Sequence, residues 1–466
     1  MRAGEMNLTI ADILSVANLN SKFIGDESGL NTPFKKVTID SRKVNPGDLF
    51  IAIRGDRFDG HQFVHDVLSK GVKAAVVSRQ WYAHNESNEH LIVVDDTLRA
   101  LQDISNHYRK KFSIPFISIT GSNGKTTTKE MISHVLSQKY EVMKNPGNLN
   151  NHIGVPLTLF MLDDTYDISI IELGTNHFGE IRRLAEISEP GFGLITNIGP
   201  AHLEFFGSLE GVERAKTELW DYIQLHEGTA FVNLDDPFLA SSLPGYRNVI
   251  TYGFNEKADI SAVFKGIDSR GCAEFYFDNT KFTLNVPGEH NVYNALATIA
   301  VSSRFGVNTS DMKRALEQFK ATSKRMEIIQ YENLLILNDC YNSNMASAEK
   351  ALQTLANIQR TGQKIAILAD MLELGKLSES HHREIGRIAA TLNIDHLLAY
   401  GPLSLWTIEE ARKRGLKAST HFEKKSELIK RLNGIIHRGD TILIKGSRGM
   451  AMEEVTDSLL KREKSS

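Results

Sequence analysis

A chain of 466 residues carrying 54 Lys and Arg against 57 Asp and Glu has a net charge of −3, with 41% hydrophobic and 24% charged residues. Such near-balance argues against a nucleic-acid partner, which shows as a basic excess or stripe, but it leaves small anionic ligands open. The two cysteines, Cys272 and Cys340, are too few for a disulfide scaffold and lack metal-ligand spacing, so they read as thiols of a reducing compartment.

The length suits roughly three domains. Met1 to Asn20 alternates apolar and polar residues, without the unbroken apolar core of a signal peptide. No run approaches the roughly 20 apolar residues of a membrane span. The expectation is a soluble, cytoplasmic protein with no membrane insertion.

Residues 1–97 read as a small α/β domain. Short strands at Leu49–Ile53 and Lys73–Val77 are set off by turn signals at Pro46-Gly47-Asp48 and Asp59-Gly60. Thr97 to Lys111 has helical spacing through Leu98, Leu101, Ile104 and Tyr108 and leads into a second domain, 98–322. There, buried strands are expected at Ile114–Thr120, Ile168–Leu173 and Phe192–Asn197. A β-rich patch follows at Ile260–Phe264, Cys272–Phe277 and Lys281–Val286, and a helix at Asn291–Phe305 closes the domain. From 323 to 466, strands at Leu334–Leu337, Ile365–Leu368, His396–Tyr400 and Thr441–Ile444 alternate with helices such as Ser347–Ile358 and Leu428–Ile436. That is a doubly wound, Rossmann-like pattern, but without the glycine fingerprint of a dinucleotide site. The predicted fold class is therefore α/β in three domains: a small α/β N-terminal domain, a central parallel-sheet domain and a C-terminal doubly wound, Rossmann-like domain.

The strongest local signal is Thr120-Gly121-Ser122-Asn123-Gly124-Lys125-Thr126-Thr127, between an apolar strand and a helix with inward Met131, Val135 and Leu136. Glycines free backbone N–H groups to turn toward an anion, and the helix N-terminus adds its dipole. Lys125 can reach the β and γ phosphates of ATP, and the Thr126 hydroxyl can bind Mg²⁺. The general phosphate-loop pattern has a further glycine where Ile119 stands, so this loop is a shorter variant. Glu172 ends a buried strand; it reads equally as a Mg²⁺ ligand or a solvated edge residue. His202, a lone histidine after a strand and the turn Gly199-Pro200, reads more as a structural hydrogen-bonder than as a ligand. Lys216, in Glu213-Arg214-Ala215-Lys216-Thr217-Glu218, reads from its charge pattern as a solvated helix lysine. Asn148, Asn150 and Asn151 read as a turn.

Taken together and in order, these stretches resemble the Mur ligase family over nearly the whole chain. Asp40-Ser41-Arg42-Lys43-Val44, Pro46 to Phe50 and Asp59-Gly60-His61 look like the family's uridine-nucleotide domain. Residues 146–151 through Gly154-Val155-Pro156, Glu172 to His177 with Gly179-Glu180-Ile181, Thr196 to Ser208, and Gly288 to Ala295 look like its D-alanyl-D-alanine-adding branch. The Asp-Asn-Pro-Arg motif of the diaminopimelate-adding branch is missing. The uridine-type first domain argues against a folate polyglutamate ligase.

The resemblance implies an ATP-dependent amide ligase that joins D-alanyl-D-alanine to UDP-N-acetylmuramoyl-tripeptide through an acyl phosphate. It acts as a monomer on small molecules alone. Gly121 to Thr127 would cradle the ATP phosphates. Thr126 and Glu172 would bind one Mg²⁺, and His202 with a carbamylated Lys216 a second. Lys125, Lys216, His202 and Arg325 would be catalytic, with Asn294 at adenine, Arg325 at the phosphates and Asp339 at the ribose. Ser41 and Arg42 would hold the UDP part, and Asn148, Asn151, Thr175, Asn176, Asn342 and Asn344 other parts of the substrates. The sequence departs from the family at Asn338, where Asp is common, at Met345, where Pro is common, and at Ala369, where Gly is common.

Overall fold

The computed structural model describes residues 6–461, apart from 18, 56–57 and 87–88. The fold is α/β and is built on four sheets. Packing divides it into two compact units: residues up to 118 with 140–175 and 179–192, and residues 119–139 and 176–178 with everything from 193 onward.

In the first sheet, Lys22–Ile24 runs antiparallel to Leu91–Val94, and Ala74–Ser78, Leu49–Ile51 and Val37–Thr38 follow in parallel. Phe50, Ala75, Val77, Leu91 and Val93 form one face of its core with Val64 and Val67. The helix Thr97–Arg109 begins at Asp96, whose carboxylate accepts from the N–H groups of Leu98 and Arg99, and it buries Ala100, Leu101, Ile104 and Tyr108.

The second sheet has seven strands in the order Ile260–Ser261, Val249–Gly253, Thr229–Asn233, Phe192–Ile195, Phe116–Thr120, Ile168–Glu172, Val142–Lys144. Its central strands, Thr229–Asn233, Phe192–Ile195, Phe116–Thr120 and Ile168–Glu172, are buried on both faces almost throughout, the signature of parallel pairing under helices. The expected strand Ile260–Phe264 is in fact two. Ile260–Ser261 pairs in parallel with Tyr252–Gly253, and Val263–Ile267 pairs antiparallel with Cys272–Phe277 in a separate three-stranded sheet completed by Thr280–Pro287. The break falls at buried Ala262, where the chain leaves one sheet for the other. The helix expected to close the domain spans His290–Arg304, and a further helix, Thr309–Gln318, follows it behind an Asn308 cap.

The fourth sheet runs Glu327–Tyr331, Leu334–Asp339, Thr441–Lys445, Lys364–Ala369, His396–Tyr400, Ser419–Phe422, parallel except for its first hairpin. Alternate residues serve opposite faces. Leu335, Leu337, Ala366, Leu368, Leu397 and Leu443 pack under one set of helices. Ile336, Ile365, Ile367, Leu398, Ile442 and Ile444 pack under the other. This is the doubly wound arrangement that the alternation of elements predicts.

Candidate active site

The buried strand Phe116–Thr120 delivers the chain into the loop 121–124, and the helix Lys125–Leu136 leaves it. Two glycines are obligatory there. Gly121 has φ +144°, and a Cβ on it would lie 1.9 Å from Thr196 Oγ1. Gly124 has φ +82°, and its Cβ would lie 2.6 Å from Asn294 Oδ1. The loop is held from the segment after Phe192–Ile195. Ser122 N–H donates to the Asn197 carbonyl at 3.0 Å, and Asn123 N–H to Asn197 Oδ1 at 3.1 Å. Thr196 Oγ1 and Asn197 Nδ2 both donate to the Asn123 carbonyl, at 2.6 and 2.9 Å. The Ser122 hydroxyl and the backbone of Gly199 exchange two bonds of 2.9 Å. With the loop so fixed, the helix begins directly at its end, and the helix dipole favours an anion there. Lys125 is folded back, donating from Nζ to the Gly121 carbonyl at 2.7 Å.

The carbonyl-side anchors Thr196, Asn197 and Gly199 were not singled out as loop supports from the sequence. Their signal was position: they follow a parallel strand whose C-terminal end, like that of Phe116–Thr120, faces the ligand crevice of an open α/β sheet.

Asn294 lies against Gly124 and is buried, its Oδ1 accepting from Thr128 Oγ1 at 3.1 Å and its Nδ2 donating to Asn291 Oδ1 at 2.8 Å. Asn344 caps the helix Met345–Asn357 and donates from Nδ2 to Asn123 Oδ1 at 2.9 Å. Arg325 stands between Lys324 and Met326, both in the left-handed region at φ +66° and +52°, and its guanidinium stacks 3.7 Å from the Tyr341 ring centroid. Asp339 accepts from Met326 N–H at 3.0 Å and from the buried Lys445 amine at 2.6 Å, and that amine also reaches the Asn342 carbonyl at 2.9 Å. Asn342 and Asn176 are exposed.

Lys216 departs from the solvated reading. Its side chain is 2% exposed on the helix Leu209–Leu225, which Ser208 caps. Burial, and then the nearby Lys125 ammonium, push its amine well below the usual lysine value of 10.5, toward the uncharged form. His202 precedes the short helix Leu203–Phe206 with φ +51°, a left-handed conformation, and its ring meets Phe206 edge-on. Its Nδ1 lies 2.9 Å from Glu373 Oε2, close but not aligned as a hydrogen bond. The His202 contact holds the Glu373 carboxyl below its ordinary value.

In the other unit, Glu172 is 2% exposed, so it is no solvated edge residue. Asn150 Nδ2 donates to its Oε1 at 2.8 Å, and Asn145 clamps its backbone, accepting from its N–H and donating to its carbonyl. Asn150 reads in the sequence as a turn residue after Pro146-Gly147, and Asn145, just before that turn, carries no sequence signal of its own. Asn151 accepts from Ile153 and Gly154 N–H at the start of the helix Gly154–Leu159, Asn148 is exposed, and Thr175 donates to Glu180. Arg42, 84% exposed, makes a two-pronged pair with Asp40, which lowers the Asp40 carboxyl to about 2.

Among the described residues, no three His, Cys, Asp or Glu side chains converge as a metal site. The donors expected for Mg²⁺ are of mixed kinds: Glu172 and His202 are of those types, whereas Thr126 offers a hydroxyl and Lys216 an amine. A desolvated amine whose pKa is lowered, beside a second cation, suits capture of CO₂ as a carbamate, so the residues present fit the divalent ions that the resemblance implies.

A glycine-fixed phosphate loop ahead of a helix, on an open parallel sheet with a second doubly wound sheet in the chain, defines an ATP-using α/β enzyme. The chain belongs to the Mur ligase family. Residues 33–109, 119–302 and 324–448 match the Mur ligase family catalytic domain, the Mur ligase middle domain and the Mur ligase glutamate ligase domain. It is 36% identical to the UDP-N-acetylmuramoyl-tripeptide--D-alanyl-D-alanine ligase of Bacillus subtilis, over 91% of this chain and 93% of that one. The Escherichia coli ligase of the same name is 36% identical over 97% and 98%. A solved MurF from Acinetobacter baumannii superposes with TM-score 0.88 at 31% identity, covering 98% of this chain and 100% of that one. A Thermotoga maritima MurF ligase in complex with ADP gives TM-score 0.82 at 28% identity, over 92% and 98%. No described helix is long and apolar enough to cross a membrane.

Proposed function

We propose that this chain joins D-alanyl-D-alanine to the terminal carboxylate of UDP-N-acetylmuramoyl-tripeptide, with ATP cleaved to ADP and phosphate, in the synthesis of peptidoglycan precursors. Full-length similarity to ligases of that name and the conformation of the loop 121–124 support this reading. Residues 1–97 bind the UDP part, 98–322 bind ATP, and 323–466 form the Rossmann-like partner of the nucleotide site. The enzyme works in the cytoplasm as a monomer.

The chemistry begins with two anions that repel each other, the tripeptide carboxylate and the γ-phosphate. Lys125 and Arg325 lower that cost. Lys125 need only exchange the Gly121 carbonyl for a phosphate oxygen, and the Tyr341 ring holds the guanidinium of Arg325 flat. Transfer of the γ-phosphoryl group gives an acyl phosphate and ADP. The free amine of D-alanyl-D-alanine then attacks the acyl carbon, and phosphate leaves. Thr126 and Glu172 would hold one Mg²⁺, and His202 with a carbamylated Lys216 a second; when bound, the ions neutralise phosphate charge. Asn294 and Asp339 face the nucleoside, Ser41 and Arg42 the UDP, and Asn148, Asn151, Thr175, Asn176, Asn342 and Asn344 other parts of the substrates.

The test is ADP release by the purified chain with ATP, Mg²⁺ and UDP-N-acetylmuramoyl-tripeptide, with and without D-alanyl-D-alanine. Sustained release that requires both acceptor and donor, with one amide formed per ADP, is expected. ADP release indifferent to the dipeptide contradicts the proposal.

A further inference from the structure

The loop after the strand Lys364–Ala369 brings one carboxylate to His202, and no step of the reaction above employs it. Glu373 Oε2 lies 2.9 Å from His202 Nδ1. Both residues are non-glycine residues in the left-handed region, at φ +51° for His202 and +62° for Glu373. Such conformations cost about 1 kcal/mol or more and persist where the surroundings enforce them.

The surroundings of Glu373 do so. Asp370, buried, accepts from the Ser404 hydroxyl and N–H, both at 2.7 Å. Met371 N–H donates to His382 Nε2 at 3.1 Å, and Leu372 N–H to Ser447 Oγ at 2.9 Å. Met371 and Leu374 are buried in the core of the fourth sheet. On the far side of Glu373, Gly375 has φ +52°, and a Cβ there would lie 3.4 Å from Glu204 on the helix that His202 begins. The loop is thus bolted to its own sheet and laid against the helix Leu203–Phe206. Glu373 itself remains 57% exposed, so neither folding nor core packing accounts for its placement.

We propose that Glu373 is a positioning residue for His202: its carboxylate accepts a hydrogen bond from Nδ1–H, which keeps the proton on Nδ1 and leaves the Nε2 lone pair for the divalent cation. A carboxylate behind a ligating imidazole fixes both ring orientation and tautomer. The contact is short but off-line here, as contacts of this kind often are before substrates close a site. Because His202 follows the second sheet and Glu373 the fourth, the imidazole is set only when the C-terminal region is in place. This rests on the reading of His202 as a cation ligand.

The test uses the full chain with Glu373→Ala, Glu373→Gln and His202→Ala. The chain has 16 histidines, so the His202 ring signals in ¹⁵N NMR are assigned by their loss in His202→Ala. In the parent without metal, His202 is expected to carry its proton on Nδ1. In Glu373→Ala it shifts toward Nε2, the site an unassisted imidazole prefers. Glu373→Ala should lower kcat or raise the Mg²⁺ concentration for half-maximal rate by about 10–100-fold, the usual span for loss of such a partner. KM for the UDP-peptide stays within about twofold. Glu373→Gln, whose amide oxygen still accepts from Nδ1–H, should recover much of the loss. An unchanged tautomer and Mg²⁺ dependence in Glu373→Ala, alongside a strong effect of His202→Ala, overturns the role of Glu373 alone. No effect of His202→Ala overturns the ligand reading and this inference with it.

Discussion

Lys216 is the residue for which charge pattern and burial disagree most. Glu213, Arg214, Thr217 and Glu218 around it suggest a wet helix face, yet Lys216 falls on the stripe made by Val212, Ala215, Leu219, Trp220 and Ile223. That stripe has the i, i+3, i+4, i+7 spacing of a buried face, so the position was legible from apolar periodicity although the lysine itself was not. A lysine placed there is held at a cost. Between its lowered folded-state pKa and about 10.5, its amine takes up fewer protons in the folded chain than in the unfolded one. Stability therefore rises with pH on its account, because the unfolded state binds the extra proton. Lys216→Met should abolish ligation and yet raise the urea midpoint at pH 7, with the gain over the parent narrowing as pH approaches 10. Lys216→Arg should also be inactive, since a guanidinium stays cationic beside Lys125 and forms no carbamate. Small carboxylic acids added to Lys216→Ala should restore part of the rate. Full Mg²⁺-dependent activity in the arginine variant rules the carbamate out.

The interiors of the elements were legible and their junctions less so. Cys272–Phe277 and His396–Tyr400 fall where alternation and apolar runs predict them, because each is one unbroken strand flanked by a strand on either side. The strand Glu327–Tyr331 was unread, since its residues are only half-buried at a sheet edge and carry no strong apolar pattern. That edge explains one departure from the family. Asn338 lies directly opposite Glu327 across the hairpin and donates from Nδ2 to its Oε2 at 3.0 Å, while its Oδ1 accepts from the Cys340 thiol at 3.0 Å. The aspartate common in the family would set two carboxylates against each other here. Asn338→Asp should therefore destabilise this chain by about 1–3 kcal/mol at pH 7, the cost of turning a buried bond into a repulsion. Equilibrium unfolding in urea measures it. Glu327→Gln in the same background should restore most of the loss. The other two departures are accommodated by packing: Met345 opens a helix already capped by Asn344, and Ala369 is buried with its methyl where a side chain on Gly446 would otherwise reach.

At the scale of the molecule, the order of regions was readable because each carries a different period: short mixed strands, then a phosphate loop on a parallel sheet, then regular alternation. The strands of the three-stranded sheet are read from the sequence as a β-rich patch, whereas their separation from the second sheet and the helix Thr309–Gln318 are not, because neither changes that order. Assigning a role to the first region rests on a small feature, Asp40-Ser41-Arg42. The Arg42 guanidinium projects into solvent with its Nε and one terminal nitrogen on Asp40 at 2.8 and 2.9 Å. Its hydrogen bonds lower the Asp40 carboxyl to about 2, so the carboxylate stays ionised and able to accept both bonds at neutral pH. A guanidinium preset in this way can turn its remaining N–H groups to a diphosphate with little further ordering. If the first region reads the uridine diphosphate, Arg42→Ala should raise KM for the UDP-peptide about tenfold or more, the range of one charged hydrogen bond. KM for ATP and kcat at saturating UDP-peptide should change little, because the lost contact is made equally in ground and transition states. Arg42→Lys should fall between, keeping charge without the fork. Asp40→Asn should raise the same KM by a smaller factor, since the guanidinium is then aimed less firmly. The KM values for both substrates, measured at constant Mg²⁺, decide the matter. An equal rise for ATP and for the UDP-peptide would take the diphosphate contact away from Arg42 and with it the chief residue-level support for the role of the first region.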